Sequence, residues 1–290
     1  MLEKSLGSNA DSLAYDLEDS VAYAQKPRAR SQVAAFLNGD RVAKGERAVR
    51  INAVGTGFEQ DDLEAVTKNL KLACRHISAI MLPKTESADH VDWVVSMIKK
   101  HAEPHRQKGA DPMRIVALIE NSTAMMNLKE IAQSGKGHLD ALVFAAEDYC
   151  ADLGITRSTS RRELLYPRSA ILTTARAFGL QALDLVCVNY KEPVVLREEC
   201  HDGHTLGYDG KQAIHPSQVD IIQRAFSPSE KAVHRAARVI YAYSISEKEG
   251  KGAFALDGAM IDAPVLKQAE RVIAKARAGG LMIPDVSDTI

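Results

Sequence analysis

Two carboxylates that follow neighbouring apolar runs have the clearest capacity for chemistry in this chain. Glu120 ends the run RIVALIE, and Asp148 lies in VFAAEDY, beyond the next apolar run. Adjacent strands lie about 5 Å apart, so residues at their ends can share one ion. Mg²⁺ prefers one or two carboxylates completed by water and substrate oxygens, and neither segment contains the His that Zn²⁺ favours. The pair predicts a Mg²⁺ site, although either carboxylate alone could cap a helix or pair with a surface Lys.

Charged residues at the ends of earlier apolar runs predict a substrate-binding mouth. Arg50 in AVRIN could hold a substrate carboxylate or stabilise a developing enolate oxygen, or it could pair structurally with Glu18 or Asp19. These two carboxylates could in turn orient Arg50 or Lys84, or bind the metal through water. Lys84 could form a Schiff base, but the nearby carboxylates favour an ion-paired ammonium. Charge at the carboxyl ends of parallel strands is typical of a (β/α)8-barrel active site.

Three histidines and one further carboxylate carry weaker signals. His215 in AIHPSQ could act as an acid or a base, but a hydrogen bond that supports its own loop is the commoner role. His201 and His204 are predicted to lie in a polar, solvated loop between a helix and a strand. Asp262 precedes Ala-Pro, where a helix N-cap is the default expectation.

Composition and charge restrict the class of protein. The chain has 290 residues, a net charge of −1, 46% hydrophobic and 5% aromatic residues. This favours one barrel-sized α/β domain or two small domains and argues against nucleic-acid and membrane-surface partners. The basic cluster Arg157, Arg161 and Arg162 is predicted to be a solvated helix start. The four cysteines show no C-x-x-C spacing, and we find no transmembrane-length run, signal peptide or transit peptide, so we expect a soluble intracellular protein with reduced thiols.

Apolar runs alternate with helical patterns along the chain, which predicts a parallel sheet with right-handed crossovers. The predicted strands are Ser12–Leu17, Ala48–Ile51, Ala79–Leu82, Ile115–Ile119, Ala141–Phe144, Leu185–Val188 and Gln212–Ile214. The predicted helices between them are Lys26–Leu37, Asp61–Ala73, Ser87–His101, Asn127–Gln133, Arg161–Phe178 and Gln218–Phe226.

The number of strands bears on the architecture. An eight-stranded barrel needs one strand more than the seven counted, so we predict an α/β TIM (β/α)8 barrel, residues 1–226, that lacks its first strand. The alternative is an open doubly wound sheet, but no G-x-G-x-x-G follows any strand. Residues 227–290 are predicted to form a C-terminal helical arm that packs on a neighbouring subunit. It comprises a helix to about Tyr243, a loop with Gly250, Gly252 and Gly258, and a helix from Pro264 to about Ala278.

Motifs in order along nearly the whole chain resemble the HpcH/HpaI aldolase and citrate lyase β-subunit superfamily. The segments that carry the resemblance are DLEDSVA, AVRINAVGTG, MLPKTES, LIEN, VFAAEDY, AFGLQALDLV, GYDGKQAIHPSQ and GKGAFALDGAMIDAPVLKQAERV. The resemblance implies a TIM barrel, a Mg²⁺ cofactor, an acyl-CoA substrate and a homotrimer whose arm reaches the neighbouring active site. It also implies a mitochondrial location for the closest members.

Site roles follow from the resemblance residue by residue. Glu120 and Asp148 match the metal ligands, and Asp262 matches a catalytic acid/base supplied by a neighbouring subunit. Arg50 matches a catalytic and substrate-binding arginine, and the remaining expected substrate-binding residues are Glu18, Lys84, Ala146 and Glu147. The implied reaction is the reversible cleavage of a 3-hydroxyacyl-CoA of the citramalyl-CoA or malyl-CoA type to acetyl-CoA and a 2-oxo acid, pyruvate or glyoxylate.

Three departures from the family pattern leave alternatives open. The first strand with its V-P-G-like turn is missing, which a truncated start would explain more simply than a working seven-stranded enzyme. Ala145 and Ala146 stand where related sequences carry glycines, and Asn121 stands where many have Thr. The alternatives are a catalytically impaired homologue that binds CoA esters, and the β subunit of a multi-subunit citrate lyase.

Overall fold

The computed structural model describes residues 2–39, 43–67, 77–105, 111–248 and 253–286. The chain forms two compact units, residues 1–222 and 223–290. The strands are β1 Ser12–Asp16, β2 Glu46–Arg50, β3 Ala79–Leu82, β4 Arg114–Ile119, β5 Leu139–Phe144, β6 Gln181–Asp184, β7 Gly210–Lys211, β8 Phe254–Leu256 and β9 Ala259–Ile261. The helices are α1 Leu2–Ser5, α2 Lys26–Leu37, α3 Glu59–Thr67, α4 Ala88–His101, α5 Ser122–Met126, α6 Leu128–Gln133, α7 Ala146–Leu153, α8 Leu165–Ala177, α9 Pro193–Leu206, α10 Val219–Phe226, α11 Glu230–Lys248 and α12 Ala263–Ala278.

The first unit is built on a parallel sheet in which β1 to β7 lie in chain order. Its strands are covered on both faces, as expected for near-continuous apolar runs. Alternate residues of β2 to β5 form one buried cluster, namely Ala48, Ala79, Met81, Val116, Leu118, Ala141 and Val143. Their neighbours in sequence are also buried, for example Ile80, Ala117 and Leu142. The predicted parallel α/β sheet of seven strands is confirmed, while its membership of an eight-stranded barrel stays a prediction.

Most predicted elements are present, but the sixth strand is displaced. The apolar run Leu185–Val188 was predicted as a strand, whereas β6 is Gln181–Asp184 and Leu185 is buried beyond its end. The error arises because Asp184 lies inside the strand although it is charged and fully buried, which its bidentate pair with Arg168 allows. The seventh strand, predicted at Gln212–Ile214, is Gly210–Lys211.

The predicted loop around His201 and His204 is wrong, because both residues lie in α9. Leu196, Cys200 and Gly203 form the buried face of this helix at spacings of four and three residues, the signal that the sequence prediction missed. Beyond Thr67 the predicted helix Asp61–Ala73 lies outside the described residues, as does Cys74. No helix in the described part of the chain is long and apolar enough to cross a membrane.

The second unit packs α11 against α12 and carries an unpredicted β-hairpin. β8 and β9 pair antiparallel, and Asp257 and Gly258 connect them with φ angles of 51° and 77°. An Asp-Gly pair between apolar runs is the strongest short-range hairpin signal, because both turn residues need positive φ. The predicted glycine loop therefore holds only in part: Gly258 is a turn residue, and Gly250 and Gly252 lie outside the described residues. Packing of this unit on a neighbouring subunit stays a prediction.

Candidate active site

Five charged residues lie at the carboxyl ends of β1 to β5. Asp16 ends β1 and is paired in register with Arg50, which ends β2. Lys84 and Glu120 lie just beyond β3 and β4, and Asp148 lies in the first turn of α7 after β5. Because all these strands are parallel, the five residues lie at the same edge of the sheet. The sequence analysis predicted four of them as site residues, and the fifth, Asp16, lies within the predicted strand Ser12–Leu17.

Arg50 is held by two carboxylates. Its Nε and Nη2 atoms each donate to Asp16 at 2.7 Å, and its Nη1 lies 3.1 Å from Glu18 Oε2. Burial alone would raise the pKa of Asp16, but the hydrogen bonds from Arg50 lower it to about 2. The ion pair with Glu18, one of the two structural pairings considered for Arg50 from the sequence, is therefore present. The carboxylate that binds Arg50 through two hydrogen bonds is Asp16. The result is a guanidinium with a fixed orientation and a permanent charge.

Lys84 lies beside Glu18 as an ion-paired ammonium. Its Nζ is 2.5 Å from Glu18 Oε1 and 3.4 Å from Asp19 Oδ1. Although burial lowers the pKa of Lys84, the ion pair with Glu18 more than offsets this and raises it. A Schiff base needs a neutral amine, so the prediction of a charged lysine is confirmed. Its backbone has a φ of 46°, a left-handed conformation that costs on the order of 1–3 kcal/mol for a residue other than glycine.

Glu120 is a buried carboxyl group that receives no hydrogen bond from the part of the chain that the structure describes. The residue is only 3% exposed, and no described residue donates a hydrogen bond to its side chain. Burial raises its pKa to about 8, with further contributions from the charges of Asp148 and Glu18, which outweigh the opposing effects of Lys84 and Arg50. Burial and the neighbouring carboxylate disfavour the ionised form of Glu120, and a bound cation would stabilise that form.

The donor set restricts which cation fits. Within the described ranges, no cluster of three or more His, Cys, Asp and Glu residues surrounds the pair of Glu120 and Asp148. Zn²⁺ sites use three or four such ligands, whereas Mg²⁺ is commonly held by one or two carboxylates and retains several waters. Asp148 is exposed to solvent, which leaves room for those waters. The residues present therefore fit a hard divalent cation.

The segment AAED begins α7. Ala146 is fully buried, and Glu147 is an ion-pair partner of Arg157, whose Nη1 lies 2.5 Å from Glu147 Oε1. The predicted solvated cluster of arginines is wrong for Arg157 and Arg161, whose side chains are 11% and 13% exposed. The prediction failed because their partners, among them Glu199, lie far away in sequence.

Asn121 has a structural role beside Glu120. Its side-chain oxygen accepts a hydrogen bond from Ala124 N at 2.8 Å and so caps α5, while its Nδ2 donates to Glu86 Oε1 at 2.7 Å. The cap could have been recognised in the sequence, because Asn is a preferred residue at helix N-caps. The partner Glu86 was not identified from the sequence. Asn121 therefore joins the segment after β4 to the segment after β3.

His215 stabilises its own loop through hydrogen bonds, which is the commoner of the two roles predicted for it. Its Nδ1 is 2.7 Å from the Ser217 hydroxyl and accepts a hydrogen bond from Ser217 N at 3.2 Å. Its ring stacks on Tyr190 with centroids 4.9 Å apart. These contacts confirm the loop-supporting role.

Asp262 begins the last helix of the second unit. Its side chain accepts a hydrogen bond from Val265 N at 3.2 Å, which confirms the predicted N-cap. It follows β9, whose last residue Ile261 is 1% exposed, so the backbone before Asp262 is anchored in the core of this unit. Its role as a catalytic acid/base stays a prediction.

Comparison with known proteins identifies the family. Residues 1–216 match the model of the family described as HpcH/HpaI aldolase/citrate lyase. The mitochondrial citramalyl-CoA lyase of Homo sapiens is 34% identical over 275 residues, which cover 92% of this chain and 79% of that protein. The citrate lyase subunit beta of Escherichia coli (strain K12) is 33% identical over 282 residues, which cover 97% of this chain and 90% of that protein.

Solved structures agree with the sequence relatives. The structure of CitE from Mycobacterium tuberculosis in complex with magnesium, acetoacetate and coenzyme A is similar with a TM-score of 0.68 and 33% identity, covering 92% of this chain and 90% of that chain. The structural similarity therefore extends over most of both chains. By sequence and by structure, this chain belongs to the HpcH/HpaI aldolase/citrate lyase family.

Proposed function

We propose that this protein is a Mg²⁺-dependent carbon–carbon lyase that cleaves a 3-hydroxyacyl-CoA of the citramalyl-CoA or malyl-CoA type. Its products would be acetyl-CoA and a 2-oxo acid, pyruvate or glyoxylate. The observation that carries the proposal is the buried Glu120 carboxylate, which has no hydrogen-bond donor among the described residues and lies beside Asp148 and the Arg50 network. Relatives named as CoA-ester and citrate lyases support it.

Glu120 and Asp148 are the residues that would hold Mg²⁺. When bound, Mg²⁺ supplies Lewis-acid chemistry that polarises oxygens of the substrate. The CitE structures that contain magnesium support this choice of cation. Glu120 would be ionised in that state, because the positive charge of the cation would offset the effect of burial that raises its pKa.

Arg50 would stabilise the charge that develops when the carbon–carbon bond breaks. Loss of the proton from the substrate hydroxyl lets that oxygen become the carbonyl of the 2-oxo acid, and the bonding electrons pass to the acetyl-CoA fragment as an enolate. A guanidinium already oriented by Asp16 and Glu18 needs little reorganisation to stabilise that negative charge. Lys84 and Glu18 would complete the substrate-binding edge, and Ala146 and Glu147 would border it.

Protonation of the enolate completes the reaction, and we assign it to Asp262 of a neighbouring subunit. An Asp at a helix N-cap is held in one orientation by its backbone contact, here with Val265 N. This assignment requires that the C-terminal unit of one subunit reach the site of the next, as it would in the homotrimer with shared sites that the resemblance implies.

The architecture and location implied by the resemblance are also proposed. We place the seven parallel strands in a (β/α)8 barrel, since the strand order follows the chain as it does in that fold. A mitochondrial location is supported by the name of the Homo sapiens relative, although bacterial relatives match the chain as well.

Two other functions remain as alternatives. Bacterial relatives named citrate lyase subunit beta favour a subunit that acts within a larger complex on an acyl-carrier thioester. Ala145 and Ala146 favour a CoA-ester-binding homologue with impaired catalysis. Against the latter, Ala146 is fully buried, so the fold already accommodates its methyl group.

A substrate panel distinguishes these functions. Acetyl-CoA release would be measured with citramalyl-CoA and malyl-CoA, and cleavage would be measured in parallel with a citryl thioester of an acyl-carrier protein. The proposal predicts Mg²⁺-dependent turnover of at least one of the two CoA esters. Cleavage of the carrier thioester alone would support the β-subunit function, and binding of CoA esters without any turnover would support the impaired homologue.

A further inference from the structure

Arg157 connects three segments at the carboxyl edge of the sheet. Its Nη1 donates to Glu147 Oε1 at 2.5 Å and to the Val186 carbonyl at 3.0 Å, and its Nη2 donates to Glu199 Oε1 at 2.7 Å. Glu147 lies in the first turn of α7, Val186 lies beyond β6, and Glu199 lies on α9. One guanidinium therefore fixes the spacing between these segments.

The same contacts continue into the core. Glu199 Oε2 lies 3.0 Å from Lys211 Nζ, and Lys211 is the last residue of β7. The Lys211 side chain is 0% exposed and that of Glu199 is 6% exposed. We call Glu147, Arg157, Glu199 and Lys211 the ionic chain. Because its inner members are shielded from water, the ion pairs among them are screened less by salt than those of a surface pair.

The start of α7 is held by its backbone and its buried side chains, but no side chain caps its first turn. Ala145 N donates to the Ile119 carbonyl at 3.1 Å, and Ala146 is fully buried. The N-cap residue Ala145 has no side chain that can accept a hydrogen bond from the first turn. Asp148 makes no side-chain hydrogen bond or ion pair within the described residues. The position of the Asp148 carboxylate therefore depends on the backbone of that turn, and the adjacent Glu147 gives the turn a charged contact with Arg157.

We propose that Arg157 is a positioning residue for the cation site. It holds Glu147, and through the shared first turn of α7 it holds Asp148 at the distance from Glu120 that one cation requires. The inference rests on the proposed function, because it takes Glu120 and Asp148 as the pair that binds Mg²⁺. Arg157 itself is assigned no contact with substrate or metal.

Calorimetric titration with MgCl₂ tests the proposal through a double-mutant cycle. We expect Arg157→Met to weaken Mg²⁺ binding about 10–100-fold, the usual range for residues that orient a ligand. If the effect passes through Glu147, Arg157→Met should cause less than about threefold further loss in a Glu147→Gln background. Equal losses in both backgrounds, or wild-type affinity in Arg157→Met, would overturn the proposal.

Arg176→Met is the matched control. Like Arg157, Arg176 binds carboxylate and carbonyl oxygens, with Nη1 2.8 Å from Asp209 and Nη2 2.7 Å from the Gly207 carbonyl, but it has one carboxylate partner where Arg157 has two. Asp209 precedes β7, so this pair lies at the opposite edge of the sheet. We expect wild-type Mg²⁺ affinity in this variant. If Arg157→Met does not fold, Arg157→Lys keeps the charge, loses the two-pronged contact, and is expected to show a smaller loss of affinity.

Hydrogen exchange of the metal-free protein separates this inference from the proposed function. The amide of Tyr149 donates to the Ala145 carbonyl at 3.2 Å, so its exchange reports on the first turn of α7. We expect faster exchange over residues 145–152 in Arg157→Met but not in Arg176→Met. Unchanged exchange would overturn the positioning role. If exchange changes while the wild-type protein binds no Mg²⁺, the proposed function fails and the hold of Arg157 on the turn is retained.

Discussion

At the scale of single residues, Glu120 determines how the site responds to pH. With a pKa of about 8, its side chain is mostly protonated at neutral pH in the metal-free protein. Mg²⁺ binding must then release that proton, so we predict that the affinity falls about tenfold for each pH unit below about 8. Calorimetric titrations between pH 6 and pH 9 would measure this slope. An affinity that does not change with pH would contradict the raised pKa.

The same group should affect the stability of the metal-free protein. Because burial raises the pKa of Glu120 from 4.5 to about 8, the folded state binds the proton more tightly than the unfolded state. This contribution is fully present below pH 4.5 and is lost as the pH rises through 8. We expect the unfolding temperature to fall more steeply over this range in wild type than in Glu120→Gln. Parallel curves for the two proteins would refute the assignment.

Arg50 is predicted to act through its geometry as well as its charge. Arg50→Lys keeps the charge but cannot donate twice to Asp16 while facing a substrate. We expect kcat/KM to fall about 10²-fold, the range found for loss of an oxyanion donor, with Mg²⁺ affinity within about threefold of wild type. Arg176→Lys is the control at the opposite edge. A fully active Arg50→Lys enzyme would remove Arg50 from the catalytic step.

At the scale of secondary-structure elements, a buried ion pair joins β6 to two helices. Arg168 on α8 binds Asp184 at the end of β6 through two hydrogen bonds and Asp202 on α9 through a third. Asp184 is 0% exposed, so Arg168→Met would leave an unpaired charge in the core. We expect a loss of about 3–5 kcal/mol in the free energy of unfolding, against less than about 1 kcal/mol for Arg176→Met. Urea denaturation measures both, and equal effects would contradict the structural role.

Comparison of the predicted with the observed elements shows where local sequence patterns predict secondary structure and where they do not. α2 was predicted at Lys26–Leu37 and β3 at Ala79–Leu82, both with their observed bounds, because local apolar patterns and helix propensities agree there. β6 was misplaced because a buried Asp184 breaks the apolar pattern and is tolerated only through a residue on another element. Such compensation depends on tertiary contacts and leaves no local signal.

The residues of the candidate site also divide into those that local sequence patterns identify and those that they do not. Arg50, Lys84 and Glu120 were identified because each follows an apolar run, and parallel strands must bring those ends together. Their partners could not be chosen, since Asp16, Glu18 and Asp19 are equally charged and close in sequence. Arg157 was missed entirely, because its contact with Glu199 joins residues 42 positions apart.

At the scale of the whole molecule, the proposal requires that Asp262 serve the site of another subunit. Asp262→Asn and Glu120→Gln chains would each be inactive alone. Co-expressed, they should recover about a quarter of wild-type activity, because random mixing gives that fraction of sites an intact Glu120 and an intact Asp262 from different chains. Failure of mixed oligomers to recover activity would contradict shared sites.

In the function proposed above, Glu120 and Asp148 hold the cation together. Calorimetric titration with MgCl₂ at pH 8 tests it most directly on wild type, Glu120→Gln, Asp148→Asn and the control Asp140→Asn, which lies in β5 near its amino end. We expect one Mg²⁺ per chain in wild type and the control, and loss of binding in both site variants. Wild-type affinity in either site variant would contradict it.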